Sequence, residues 1–209
     1  MAQAQSQSGF NRIWARYRGY PQDIAGFGGF AQIFPPDCPL DHPHGSASHP
    51  TQNIDESRPM PITVIQTDPR DPQATALLHA SHALMQELFN PEENHFLSID
   101  QLCTPDITFL AASDGTQLLG TGALANRGDY GEVKSMFTAP QARGKGVADA
   151  ILSALIETAR AQSLPWLRLE TGDSLHAAHR LYARHGFTTC TAFGDYVTMP
   201  TSVFMEKRL

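Results

Sequence analysis

Hydrophobic spacing divides the chain into two unlike stretches. Up to about residue 59, apolar side chains such as Ile13, Trp14, Phe27, Phe30 and Phe34 follow neither a period of two nor one of 3.6. Prolines at 35, 36, 39, 43 and 50 would interrupt any regular element there. The stretch is rich in Gln, Ser, Gly and Pro. Residues 1–59 are therefore expected to be a disordered or loosely attached N-terminal extension, with one short helix over 11–20. Met60 stands directly before the first regular pattern and is a candidate natural start.

From residue 60 to 209 the pattern is that of a folded domain. The β-branched run 62–67 (ITVIQT) predicts a first strand. Asp71-Pro72 then reads as an N-cap followed by proline at the first helical position. Leu77, Leu78, Leu84, Met85 and Leu88 carry a helical stripe up to Asn90-Pro91. A polar loop over 91–98 leads to a short helical turn over 99–104. Strands are predicted at 106–113 and 117–124, joined at Asp114-Gly115, and at 132–138, stopped by Pro140. Val147, Ile151, Leu155 and Ala159, widened by Leu152 and Ile156, form a core face. Residues 165–171 alternate as a strand. Asp173 or Ser174 is expected to cap the next helix, which presents Leu175, Ala178, Leu181 and Tyr182 and stops at Gly186. Two final strands are expected at 188–193 and 202–207. This order implies an α/β (α+β) domain with a mixed sheet and helices on both faces.

Composition narrows the function classes. A net charge of −6 argues against non-specific nucleic-acid binding. No apolar run approaches the ~18 residues of a membrane span, and the first twenty residues hold no stretch of signal-peptide length. Cys38, Cys103 and Cys190 are widely spaced without a CxxC, which favours reduced thiols and a cytoplasmic location. His42, His44 and His49 lack cysteine partners and zinc-site spacing, so no metal is expected.

The chemistry centres on residues 131–164, a strand, a basic glycine turn and an amphipathic helix. In the turn Gln141-Ala142-Arg143-Gly144-Lys145-Gly146, two glycines allow φ > 0 or a close backbone approach. The helix that follows opens with N–H groups lacking intrahelical partners, which suits an anion such as a phosphate. A P-loop would need GxxxxGK followed by Ser or Thr, and a dinucleotide fingerprint would need a third glycine. Neither spacing is present.

The same turn fits the Q/RxxGxG/A pattern of the GNAT N-acetyltransferases. Residues 181–187 (LYARHGF), with Ala178 before them, are similar to that superfamily's A-x-x-LY-x-x-x-GF signature. With EVKSMFTAP, LETG, FGDY and SVFMEKRL, residues 61–209 resemble a bacterial subgroup of small GNAT proteins. The resemblance implies a mostly antiparallel, twisted sheet of about seven strands, splayed to hold acetyl-CoA as co-substrate. It implies that the backbone of Met136, Phe137 and Thr138 pairs with the pantetheine arm. Arg143, Gly144, Lys145, Gly146, Val147 and Ala148 would serve the pyrophosphate, and Tyr182 would protonate the leaving thiolate. Where the family often has Asn seven residues before that tyrosine, this chain has Leu175, with Ser174 beside it as the substitute cofactor contact.

Acetyl transfer to nitrogen needs a neutral amine and hence a general base. Glu132 is the first candidate, where family members often place a catalytic glutamate; strand alternation would put it on one face with Lys134 and Met136. It could equally just pair with Lys134. Glu170 is the reserve base, or caps the following turn. Core packing is the alternative for Tyr182. Glu93, His95, Phe96 and Tyr196 are the candidate lining of the acceptor pocket. The expected function is direct acetyl transfer to a primary amine of a small molecule. A protein or peptide N-acetyltransferase and a non-catalytic acetyl-CoA-binding regulator are the alternatives. No nucleic acid or membrane partner is expected, and a homodimer is left open.

Overall fold

The computed structural model describes residues 61–209. The readings made for residues 1–59, including the helix over 11–20 and the three histidines, lie outside the described residues. Strand β1 (Thr63–Gln66) leads into helix α1 (Pro72–Leu88), capped as its sequence predicts: the Asp71 side chain accepts from the N–H groups of Gln73 and Ala74, with proline in the first turn. Helix α2 (Ile99–Leu102) is one turn, closed by a reciprocal capping box between Ser98 and Gln101. Strands β2 (Ile107–Ser113), β3 (Leu118–Asn126) and β4 (Gly131–Thr138) follow, then α3 (Val147–Ala161), β5 (Trp166–Gly172), α4 (His176–Arg184), β6 (Thr188–Thr189) and β7 (Ser202–Arg208). The seven strands form one sheet in the order β1-β2-β3-β4-β5-β7-β6, antiparallel except where β4 meets β5. This is the mixed, mostly antiparallel sheet expected.

Each face of the sheet has its own apolar layer. Ile151, Leu152 and Leu155 of α3 are fully buried, and they belong to one core with Leu124, Val133, Leu167 and Leu169 of the strands. Each such side chain contributes about 1.5–3 kcal/mol of burial. On the opposite face Ala74 and Leu78 of α1 and Leu102 of α2 pack with Phe109 and Ala123. Gly122 lets α3 come close: a Cβ there would lie 2.6 Å from Ile151 and 2.8 Å from the Met136 sulfur. Asp149 of α3 holds α4 alongside through Arg184 at 2.9 Å and His185 at 3.2 Å. Among the described residues no helix is long and apolar enough to cross a membrane.

Three local expectations are corrected. Neither Asp173 nor Ser174 caps α4; its cap is Leu175, which supplies no side-chain acceptor, and the helix starts two residues beyond Ser174. The strand expected over 188–193 pairs only at Thr188 and Thr189. Beyond Cys190 the chain leaves the sheet edge, and the rings of Phe193 and Tyr196 pack edge-on against Phe204 at 5.7 and 5.6 Å. Finally, Met136 does not share a face with Glu132 and Lys134. Pairing runs Ala123↔Lys134 and then Thr121↔Phe137, so β4 carries one extra residue. That bulge moves Met136 to the α3 face.

Candidate active site

The parallel strands β4 and β5 pair only at Gly131↔Leu167 and Glu132↔Arg168. β4 then runs on to Thr138 and β5 to Gly172 without further pairing to each other. On its other edge β4 stays bound to β3 as far as Gly120↔Thr138. The sheet thus forks, and Met136, Phe137 and Thr138 lie on the diverging arm, their β5-side edge open to an added extended chain. The bulge sits at the fork: Ser135 takes φ +52°, and its carbonyl accepts a 3.0 Å hydrogen bond from Thr121 Oγ1. A non-glycine residue there costs about 1–2 kcal/mol.

The glycine turn follows directly. A single 3₁₀ turn over Pro140–Ala142 leads to Gly144 at φ +75° and Gly146 at φ +81°. Gly146 is the N-cap of α3 and supplies no side chain to its opening N–H groups. A Cβ on either glycine would meet nothing within 4 Å. An uncapped helix mouth with open space before it and the positive end of the helix dipole behind it suits a pyrophosphate. Arg143, Lys145 and Ala148 flank this mouth in sequence, while the Val147 side chain is buried in the core.

The residues proposed for chemistry fall into two groups around the fork. Tyr182, on the buried side of α4, is 5 % exposed and packs at 5.8 Å from the Phe187 ring. Burial, helped by the charge of Glu170, pushes its phenol well above the usual tyrosine range, so it stays protonated. Glu170 stands on β5 opposite Phe204 of β7. Burial raises its carboxyl, while a hydrogen bond from the Ser202 hydroxyl and the charges of His95 and Lys134 oppose the rise.

Glu132 is 4 % exposed and its oxygens are engaged. Oε1 accepts from Tyr196 Oη at 2.5 Å and lies 3.4 Å from Lys134 Nζ; Oε2 lies 3.3 Å from Arg127 Nε. The pairing with Lys134 that the sequence allowed is therefore present, within a larger network. Lys134 Nζ also donates to Tyr196 Oη at 2.6 Å and to the His95 carbonyl at 2.9 Å. Those links to Tyr196 and His95 were missed in the sequence, because Tyr196 is 62 residues from Lys134 and no local pattern joins them.

The expected lining residues separate by role. His95 and Tyr196 meet edge-to-face at 5.2 Å, and His95 Nε2 is buried without a hydrogen-bond partner. Glu93 is occupied, accepting from Thr201 Oγ1 at 2.6 Å and from the Asn90 amide at 3.0 Å. Phe96 stacks on His82 at 4.2 Å. Ser174 is exposed before α4.

Known proteins share this sequence pattern and this fold. The profile of the Acetyltransferase (GNAT) family matches residues 75–187. The chain belongs to this family. It is accordingly an N-acetyltransferase, and acetyl-CoA is its co-substrate. An IAA acetyltransferase of Azospirillum brasilense is 37 % identical over 150 residues, covering 71 % of this chain and 98 % of the relative. An acyl-CoA N-acyltransferase of Klebsiella pneumoniae is 35 % identical, with a TM-score of 0.60 over 71 % of this chain and 97 % of that one. A GNAT family acetyltransferase of Elizabethkingia anophelis with acetyl-CoA bound shares the fold at 18 % identity and a TM-score of 0.54, over 71 % and 98 % of the two chains.

Proposed function

We propose that this GNAT domain transfers the acetyl group directly to a primary amine of a small molecule, with Glu170 as general base and Tyr182 as general acid. Acetyl-CoA supplies an acyl group activated as a thioester. Met136 to Thr138 would hold its pantetheine arm along the open edge of β4. The glycine turn from Arg143 to Ala148 would hold its pyrophosphate, with Ser174 as a side-chain contact. Glu170 takes a proton from the acceptor nitrogen, and Tyr182 gives its phenol proton to the departing thiolate.

One observation carries the choice of base. Glu132 is held by a phenol and two cations, and would have to give up a hydrogen bond to accept a proton. Glu170 is half-buried, its carboxyl is raised above the ordinary range, and it is close enough to Tyr182 for its charge to act on the phenol. An acid and a base near one another on and beside β5 suit direct transfer between two bound substrates. The small acceptor is supported by the loops beside Glu170: Thr201 to Glu93 and Lys134 to His95 tie them across the face, which favours a compact pocket over an extended peptide groove.

The test is release of free CoA across a panel of small primary amines and lysine peptides, with the wild type beside a Glu170→Gln/Tyr182→Phe double variant. Turnover of a small amine by the wild type, lost in the double variant, is expected. Turnover of peptides alone would move the reading to protein acetylation. Acetyl-CoA binding without turnover of any acceptor would favour a regulator.

A further inference from the structure

We propose that Lys134 is a positioning residue for the acceptor side of the site: its ammonium fixes two loops, and with them the His95 ring and the Tyr196 phenol, beside Glu170. This rests on reading the Glu170 face of the fork as the acceptor side.

The geometry is specific to an ammonium. Lys134 Nζ has three N–H donors and three oxygen neighbours, each on a different segment. They are the His95 carbonyl at 2.9 Å, Tyr196 Oη at 2.6 Å and Glu132 Oε1 at 3.4 Å. The side chain is only 10 % exposed, so these contacts replace hydration that burial has removed. The phenol closes the ring by donating to Glu132 Oε1 at 2.5 Å. Glu132 is in turn anchored to Arg127, which reaches Asp106 at 3.3 Å before β2. The network is therefore rooted in the sheet and reaches outward into the loops.

What it holds bears on the acceptor. His95 is gripped through its own carbonyl, and its ring lies edge-on to the Tyr196 ring at 5.2 Å. Its Nε2 is buried without a partner. A buried imidazole nitrogen with an unmet hydrogen bond is costly unless something else satisfies it. The structure assigns that bond to a polar group of the acceptor, held in register with Glu170 by Lys134.

The experiment uses the full chain with Lys134→Met, Lys134→Arg and Tyr196→Phe, and two readouts. Hydrogen exchange is followed by mass spectrometry. Lys134→Met is expected to speed exchange about tenfold or more in both 91–97 and 193–201, on the scale of local opening, and to leave 147–161 unchanged. Tyr196→Phe should loosen 193–201 alone, because the lysine still holds His95. In kinetics with the best small amine of the panel, Lys134→Met should raise the acceptor KM about tenfold or more while the acetyl-CoA KM stays within about twofold. Lys134→Arg should recover part of this. Unchanged exchange in both loops, or equal rises in both KM values, would overturn the proposal. If the wild type turns over no small amine, the small-amine reading fails, and hydrogen exchange still decides whether Lys134 holds the loops. If Lys134→Met does not fold, Lys134→Arg and Tyr196→Phe give the same two readouts.

Discussion

Replacing Glu170 by Gln should separate activity from stability in opposite directions. The change keeps the shape and removes the titration. A general base supplies about 10²–10⁴-fold in rate, equivalent to about 2.7–5.4 kcal/mol of transition-state stabilisation at ~1.36 kcal/mol per tenfold. We expect kcat/KM on the best amine to fall by about 100-fold or more, with the acetyl-CoA Kd unchanged, since Glu170 lies across the fork from the glycine turn.

The stability effect follows from the raised carboxyl. Its folded-state value lies above its unfolded one because burial disfavours the charge. Between those two values the folded protein keeps a proton that the unfolded chain has released. Stability is therefore greatest below the ordinary carboxylate range and declines as pH rises through the folded value. Glutamine does not titrate, so the melting temperature of Glu170→Gln relative to wild type should climb across that window and then level off. Thiol-detected CoA release and thermal melts across an acid-to-neutral pH series measure both. Activity within about threefold of wild type, well short of what a base supplies, or a melting difference independent of pH, would refute the reasoning.

The remaining predictions address the acid, the turn and the hydroxyl beside the base. Tyr182→Phe should lower kcat about tenfold or more with acetyl-CoA affinity intact by calorimetry; an unchanged rate would remove the phenol from the mechanism. Gly146→Val places a β-branched residue at φ +81° with open space around it, so the cost is conformational, about 1–2 kcal/mol. Acetyl-CoA binding should be lost in that variant without unfolding, and calorimetry giving wild-type affinity would contradict it. Ser202→Ala removes a hydrogen bond that favours the Glu170 carboxylate. The acidic limb of the kcat/KM profile should move to higher pH, and a limb that stays or moves down would count against Glu170 as its source.

Local patterns announced much of the fold. The Asp71-Pro72 start of α1, the stripe of α3 and the stop at Gly186, with φ +80°, are set by residues within a few positions of one another. The glycine turn was legible for the same reason, since its positive φ values belong to its own glycines. What escaped depends on distant partners. The bulge that turns Met136 away from Glu132 is held by Thr121 on the neighbouring strand. The short β6 reflects aromatic packing of Phe193 and Tyr196 onto Phe204, which draws the chain off the edge in place of further ladder hydrogen bonds. The network around Glu132 likewise needs Tyr196, Arg127 and Lys134, three residues whose meeting only the folded sheet brings about.

That meeting also sets two acids of one sheet face, Glu132 and Glu170, in different surroundings. Arg127 and Lys134 both serve Glu132, and the remaining cation of β5, Arg168, is taken by Glu206 at 3.1 Å and by the rings of Tyr130 and Phe193 at 5.2 and 5.6 Å. Glu170 has the Ser202 hydroxyl as a hydrogen-bond donor. A hydroxyl donor stabilises a carboxylate far less than an ion pair does, so burial prevails at Glu170. An acid tied directly to two cations is suited to holding a loop in place; on the reading proposed above, one without a direct ion pair is suited to exchanging a proton. A cation introduced beside Glu170 should thus favour its carboxylate and lower its value as a base, even with every residue of the glycine turn intact.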